Sequence, residues 1–441
     1  MNFLPGQPFA TIGPLEVFNL LIMVLFTLCF IYQIFFVFIS LFKKPPRRTA
    51  KANHRYAVLI CARDESLVIM DIIRSIRIQN YPTELIDIFV VADNCSDNTA
   101  EVAKNAGATV FERHNKDYIG KGYALEYGFE SIKEAYGIDA YEAYFIFDAD
   151  NVLDENYFRE MNIAFDNGAL ACTSYRNAKN FGSNWITAGY GIWFLREARY
   201  LNQARYVLNT SCSVTGTGFY ISSELAKNLG GWHYHLLSED TEFSVDAVMH
   251  QKRISYAPDA VIYDEHPLKF KASWTQRLRW SRGTYQVFRR YGAKLFLQEF
   301  TNSKGHRFAC YDLLMTLAPA MLLMAASISV NLTVLLCSLA GITSEALMTT
   351  ALWSLALCFF YYACIMFVIG LVTTFTERKK IIGTPAQKIV SVLTFPFFML
   401  TFVPIAVAAL FNKPNWKPTR HCVSVDVEEF GHYLSGEFER P

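Results

Sequence analysis

Carboxylates recur through the first 250 residues where chemistry would need them. Asp148-Ala149-Asp150 ends the apolar run AYFIFDAD. Alternate residues of a strand-end extension can both reach one small ion. A hard divalent cation takes a few carboxylate oxygens there while substrate phosphates supply others. Asp93 closes another apolar run, DIFVVAD, and leads into Asn94-Cys95-Ser96-Asp97-Asn98. That stretch is turn-rich and can cap a helix starting near Thr99, so Asp93 and Asp97 also have a purely local reading. Gly120-Lys121-Gly122 opens a helical pattern and offers backbone amides plus one ammonium to a phosphate. It lacks the spacing of a P-loop. Ser238-Glu239-Asp240-Thr241-Glu242 begins a helix over 239–250, where acids also favour the helix dipole. Ahead of it, Thr215-Gly216-Thr217-Gly218 and Gly230-Gly231-Trp232 set small residues beside an aromatic, which lets a sugar approach the backbone and stack on a ring. Last comes Gln276-Arg277-Leu278-Arg279-Trp280, on a helix over roughly 272–290 whose spacing puts Gln276, Arg279 and Trp280 on one face. Such a helix could simply rest on a membrane surface, with Trp274 and Trp280 as anchors, but that leaves Gln276 unexplained.

These residues need a scaffold. YAVLICA (56–62), DIFVVAD (87–93), AYFIFDAD (143–150) and ALACTSY (169–175) read as buried parallel strands. Helical patterns at 66–79, 97–106, 120–135 and 154–166 separate them. The alternation predicts an α/β, doubly wound sheet with ligands at the carboxyl ends of its strands, where the acidic motifs fall.

Composition adds the surroundings. Of 441 residues, 52% are hydrophobic and 18% charged, with a mean hydropathy of +0.17. A soluble part joined to a few very apolar segments fits those figures. Leu15–Phe42 is long enough to span a membrane, and Lys43, Lys44, Arg47 and Arg48 follow it directly. Positive charge stays inside, so the next 250 residues should be cytosolic. Further apolar runs cover Ala309–Ala340, Ala346–Phe375 and Ile389–Phe411. Three more crossings would put the tail outside, yet Lys413, Lys417 and Arg420 follow the last run, and Pro396 and Pro404 suit a bent or re-entrant element. The side of the tail stays open on sequence alone. The expected divisions are 1–50 (first span and basic linker), 51–271 (α/β domain), 272–308 (interfacial region), 309–412 (spans) and 413–441 (tail). A net charge of +1 removes the electrostatic argument for nucleic acid. Ten scattered cysteines without a CxxC pair read as free thiols, not a disulfide framework or zinc site.

Taken in order, Asp93, Asp148 with Asp150, Ser238-Glu239-Asp240 and Gln276-Arg277-x-Arg279-Trp280, ahead of a membrane block, resemble the membrane-bound family 2 glycosyltransferases. The layout looks most like the processive synthases of cellulose, hyaluronan and poly-N-acetylglucosamine. The resemblance implies a Rossmann-like GT-A fold, a nucleotide-sugar donor such as UDP-glucose or UDP-N-acetylglucosamine, and a divalent metal. It further implies inversion at the anomeric carbon, a glycan or lipid-linked acceptor, the inner face of the plasma membrane, and room for an accessory subunit. Carried over by position, Asp93 would contact base or ribose, and Lys121 the diphosphate. Asp150 would bind the metal, with Asp148 helping to hold nucleotide and metal. Asp240 would be the general base. Thr215, Gly216, Thr217, Gly218 and Trp232 would lie beside the acceptor, while Gln276, Arg277, Arg279 and Trp280 would clamp the diphosphate and floor the acceptor site. Two departures, Asp-Asn-Cys-Ser after the second strand and Ser-Glu-Asp for the common Thr-Glu-Asp, bear on the donor more than on the chemistry.

The expected activity is extension of a β-linked polysaccharide with coupled secretion. Single transfer onto a lipid or oligosaccharide is the alternative. A transporter with a nucleotide-sensing domain would need an intramembrane charge pathway, and the apolar runs contain almost none.

Overall fold

The strands form where the apolar runs lie. In the computed structural model, which describes residues 13–317, 319–412, 421, 423 and 424, one sheet holds eight strands. They are β1 (Tyr56–Ala62), β2 (Ile86–Asp93), β3 (Thr109–Arg113), β4 (Ala143–Asp148), β5 (Val152–Leu153), β6 (Ala171–Ala178), β7 (Phe219–Ser222) and β8 (Ile254–Asp264), in the order β3-β2-β1-β4-β7-β6-β8-β5. Strand alternation decides what each face buries. After the N-terminal helix α1 (Pro14–Phe42), helix α2 (Ile69–Arg77) packs Ile69, Ile72, Ile73 and Ile76 on Val58, Ile60, Ile88 and Val90. The chain then forms α3 (Thr99–Asn105) and α4 (Lys121–Tyr136), and α4 sets Leu125, Phe129 and Ile132 against Leu59, Phe89 and Val91 on the other face. Each such side chain, fully buried, contributes about 1.5–3 kcal/mol.

The sheet departs from the all-parallel expectation. β1 to β4 are mutually parallel where they pair, but β7 runs antiparallel to both β4 and β6. After α5 (Tyr157–Asp166) and β6 the chain leaves the sheet through α6 (Trp185–Arg196), a π-helical turn at Glu197–Asn202 and α7 (Gln203–Val207). It re-enters through Gly216 and Gly218, both at positive φ, and a Cβ on Gly218 would lie 2.5 Å from Ile262 Cδ1. That tight reversal feeds β7 in backwards.

After α8 (Ser223–Leu229) and α9 (Glu239–Met249), one long helix, α10 (Phe270–Thr301), replaces the shorter 272–290 helix expected. The chain ends in α11 (Lys304–Leu317), α12 (Pro319–Leu339), α13 (Glu345–Thr376), α14 (Pro385–Leu400) and α15 (Phe402–Phe411). Pro14–Phe42, His306–Leu339, Glu345–Thr376 and Pro385–Phe411 are long and apolar enough to cross a membrane. The first three are nearly bare in their most apolar stretch (6%, 12% and 6% buried), whereas the last is 44% buried.

Buried charges tie these helices to the sheet domain. Arg205, fully buried, donates from Nε to Asp312 Oδ2 (2.6 Å) and from Nη1 to Glu197 Oε1 (2.9 Å), and Tyr32 of α1 donates to Asp312 Oδ1 (2.7 Å). Removing one partner of such a set typically costs about 3–5 kcal/mol, because the other charge stays buried alone. Nine cysteines, all those among the described residues, are free, in line with the scattered spacing.

Candidate active site

β4 delivers Asp148 at its carboxyl end, and a turn carries the chain through Asp150 into β5. The turn is held from three sides. Asp148 N donates to Thr217 Oγ1 (2.9 Å), Asn151 Nδ2 donates to Asp264 Oδ1 (3.0 Å), and Lys121 Nζ donates to Asp148 and to Gly216 O (2.7 Å). Behind them Arg176 pairs with Asp264 and donates to Thr215 O (2.5 Å). Burial pushes the Asp264 carboxyl up, but Arg176 and then His266 override it and hold its pKa at about 2.

A cavity of ≈ 350 Å³ opens over this turn. Asp93, Lys121, Asp148, Asp150, Thr215, Gly216, Asp240, Gln276, Arg279 and Trp280 all line it, so strand ends, the start of α9 and the middle of α10 converge on one space. Asp93 is also paired, accepting from Arg113 Nη1 (2.6 Å). Gln276 Oε1 is buried with no hydrogen-bond partner among the described residues, as an atom awaiting a ligand would be. Burial, then the neighbouring Asp240, raise the Glu239 pKa to about 7, and burial raises Asp240 as well.

Four expected site residues do not line the cavity. Trp232 is 1% exposed and packs in the core with Phe243 (ring centroids 5.6 Å) and Tyr234 (5.1 Å), so it has no face for a sugar. Thr217 is spent on Asp148 and Asn151, and Gly218 on the strand reversal. Arg277 is fully buried outside the cavity, its guanidinium over the rings of Phe398 (4.6 Å) and Phe402 (4.7 Å) and bonded to Thr401 Oγ1 (2.7 Å). The spacing carried a warning, since residues two apart on a helix face different sides. Asp97 takes its local role, accepting from Thr99 N (3.0 Å) and Ser66 N (3.2 Å).

Other residues enter that sequence reasoning missed. His421, far along the chain, lies in the cavity with Nδ1 2.9 Å from Glu65 Oε1 and Nε2 3.4 Å from Asp150 Oδ2. Burial opposes the charged imidazole, but Asp150 and then Glu65 override it and hold its pKa near 10. Acidic surroundings that draw in a buried cationic ring suit a divalent cation equally well. Asp148 and Asp150 are therefore the carboxylates able to hold Mg²⁺ or Mn²⁺, where the cationic ring of His421 now supplies the positive charge. A second acidic group, Asp64, Cys95 and Asp97, has ligand atoms within 4.8 Å of one another, but Asp64 there accepts from Ser96 N (2.6 Å) and Asp97 caps its turn. Nothing local to the sequence marks His421 or Glu197 as cavity residues, because only the fold brings them there, whereas Ala62-Arg63-Asp64-Glu65 at the end of the first strand is the same kind of position as Asp93.

A mixed α/β sheet presenting a carboxylate pair, an acid at a helix start and an Arg-Trp helix to one cavity defines a GT-A-like glycosyltransferase. A model described as "Glycosyltransferase like family 2" matches residues 54–283, just over half of the chain, and the chain belongs to that family. A Pyrobaculum calidifontis mannosyltransferase, solved with GDP-Man and Mn²⁺, shares the fold with a TM-score of 0.57 at 16% identity, over 90% of this chain and 99% of that one. Among curated relatives, a Bacillus subtilis protein named "Probable glycosyltransferase YdaM" is 26% identical over 57% of this chain and 60% of its own. A Synechocystis beta-monoglucosyldiacylglycerol synthase is 24% identical over 55% and 51%. A Staphylococcus aureus poly-beta-1,6-N-acetyl-D-glucosamine synthase is 25% identical over 62% and 63%. The matches thus span between about half and two thirds of these relatives' own length.

Proposed function

We propose that this glycosyltransferase moves one hexose from a nucleoside-diphosphate sugar, UDP-glucose or UDP-N-acetylglucosamine first among them, onto an acceptor hydroxyl at the inner membrane face, with inversion. The observation that carries this reading is the single cavity shared by Asp148, Asp150, Asp240, Gln276, Arg279 and Trp280. Lys121 and Arg279 supply cations for the diphosphate. Asp240 takes the proton of the attacking hydroxyl as the new C1–O bond forms and the bond to the diphosphate breaks, its electron pair leaving with the nucleotide. A base so placed is worth about 10²–10⁴ in rate. Asp148 and Asp150 would hold the divalent ion, which would supply positive charge against the negative charge of the leaving diphosphate. Attack from the opposite face makes a β-linkage from an α-linked donor.

Extension into a secreted polysaccharide is the second reading, favoured by the likeness to the poly-β-1,6-N-acetylglucosamine synthase. Purified protein given radiolabelled nucleotide sugars with Mg²⁺ or Mn²⁺ should release nucleoside diphosphate. A single addition, not a high-molecular-weight smear, is expected on product gels. Absence of turnover with every donor would remove the enzyme reading.

A further inference from the structure

The candidate cavity has a second end. It is also lined by Trp193 of α6, Glu197 of the π-helical turn, Thr284 of α10 and Leu313, Thr316 and Leu317 of α11. Leu313, Thr316 and Leu317 belong to His306–Leu339, a helical stretch apolar enough to cross a membrane. The acceptor side of the site is therefore walled by the start of a span. The far half of α10 agrees with a membrane at that level, since Phe296, Leu297 and Phe300 are 52%, 62% and 64% exposed.

Charge narrows the occupant. The cations lining the cavity are Arg63, Lys121, Arg176, Arg279 and His421, and none of them lies on α11 or the π-helical turn. At the α11 end the charged group is Glu197, with Oε1 held by Arg205, which also grips Asp312 beside Leu313. A phosphate-bearing head group would meet a carboxylate there and, among the described residues lining the cavity on α11 and the π-helical turn, no cation. A polyol would find a hydroxyl acceptor. Π-helical turns such as Glu197–Asn202 cluster at functional sites, and this one presents Glu197.

We propose that the acceptor is a neutral, hydroxyl-bearing membrane lipid, whose head group enters between α10 and α11 and hydrogen-bonds Glu197 on its way to Asp240. The inference rests on the sugar-transfer reading above and adds the acceptor class to it.

The full-length protein in phosphatidylcholine nanodiscs is given radiolabelled UDP-glucose, UDP-N-acetylglucosamine or GDP-mannose with Mn²⁺. Diacylglycerol, a polyprenyl phosphate or a soluble cello- or chito-oligosaccharide is offered in turn. Label in the neutral-lipid fraction with diacylglycerol is the expected result. Label only on the polyprenyl phosphate, or only on soluble sugar or polymer, overturns the lipid proposal while leaving sugar transfer standing. No nucleotide release with any pair overturns both. Leu317→Trp should cut lipid glycosylation at least tenfold by closing the α11 end, and E197Q should raise the KM for diacylglycerol about tenfold, the worth of one charge-assisted hydrogen bond. In both, stabilisation by UDP in a thermal melt reports that the fold persists. A stably folded L317W with undiminished lipid transfer would overturn the entry route.

Discussion

A carboxylate that takes a proton from an attacking hydroxyl must be ionised when the hydroxyl arrives. Asp240→Asn should therefore lower kcat by about 10²–10⁴ and leave UDP affinity unchanged, as read by nucleotide release beside calorimetric titration. Retained turnover would exclude Asp240 as the base. The pair Glu239–Asp240 also sets a pH profile. Burial, then Asp240, place the Glu239 pKa at about 7, and burial raises Asp240 too, so the pair takes up a proton as the solution falls below neutrality. Activity should rise with pH through about 7. Stability should move the other way, because a carboxyl whose pKa is raised on folding binds more protons folded than unfolded, and that contribution is lost as pH climbs through the folded value. E239Q should flatten the stability change, and an unaltered profile in thermal melts from pH 5 to 8 would refute the assignment. At this scale, motifs that are local in sequence were legible: a strand end shows Asp148 and Asp150, and a helix start shows Asp240. Arg277 was misplaced because the pattern names the residue but not the side of the helix that meets Phe398 and Phe402.

Helix α10 carries Gln276, Arg279 and Trp280, and its seat on α9 sets their distance from Asp240. Gly283 makes that seat. A Cβ there would stand 2.7 Å from Ser238 N and 2.9 Å from Ser238 Cβ, both at the start of α9, where the backbone cannot yield without moving Asp240. Gly283→Ala should cost about 1–3 kcal/mol as overpacking, with kcat falling by more than donor affinity. Single-turnover kinetics beside a thermal melt would separate the two effects, and a variant with wild-type stability and rate would show that the contact is slack. The elements themselves followed from apolar periodicity, as YAVLICA and DIFVVAD became β1 and β2. β3, β5, β7 and β8 escaped, and the reversed direction of β7 depends on how a long excursion through α6, the π-helical turn and α7 returns to the sheet, which periodicity does not encode.

The parity of membrane crossings is a property of the whole chain, and counting apolar runs leaves it open. Starting from the sheet domain, crossings by His306–Leu339, Glu345–Thr376 and Pro385–Phe411 would leave the tail on the far side. Yet His421, ten residues past Phe411, touches Glu65 and Asp150 inside the catalytic cavity, and Val423 N donates to Glu265 Oε2 (3.1 Å). We therefore expect the last pair of helices to return to the side it came from. Its contacts agree: α14 and α15 accept from the sheet domain's own helix, Arg277 to Phe398 O at 3.3 Å, Tyr285 to Ala406 O at 3.2 Å and Arg282 to Ala409 O at 3.2 Å. A helix pair that buries nearly half of its apolar stretch against protein and breaks at Thr401 behaves as a re-entrant element, permitted at membrane depth because its backbone groups find protein partners. We accordingly expect three crossings, with His421 on the side of the catalytic domain and opposite to the N-terminal end of α1. Epitope tags at the two ends should therefore differ in protease access. In inside-out vesicles, which expose the cytosolic face, a C-terminal tag should be cut together with the catalytic domain while an N-terminal tag is protected. The reverse pattern for the C-terminal tag would mean that α14 and α15 cross, and that His421 does not reach Asp150.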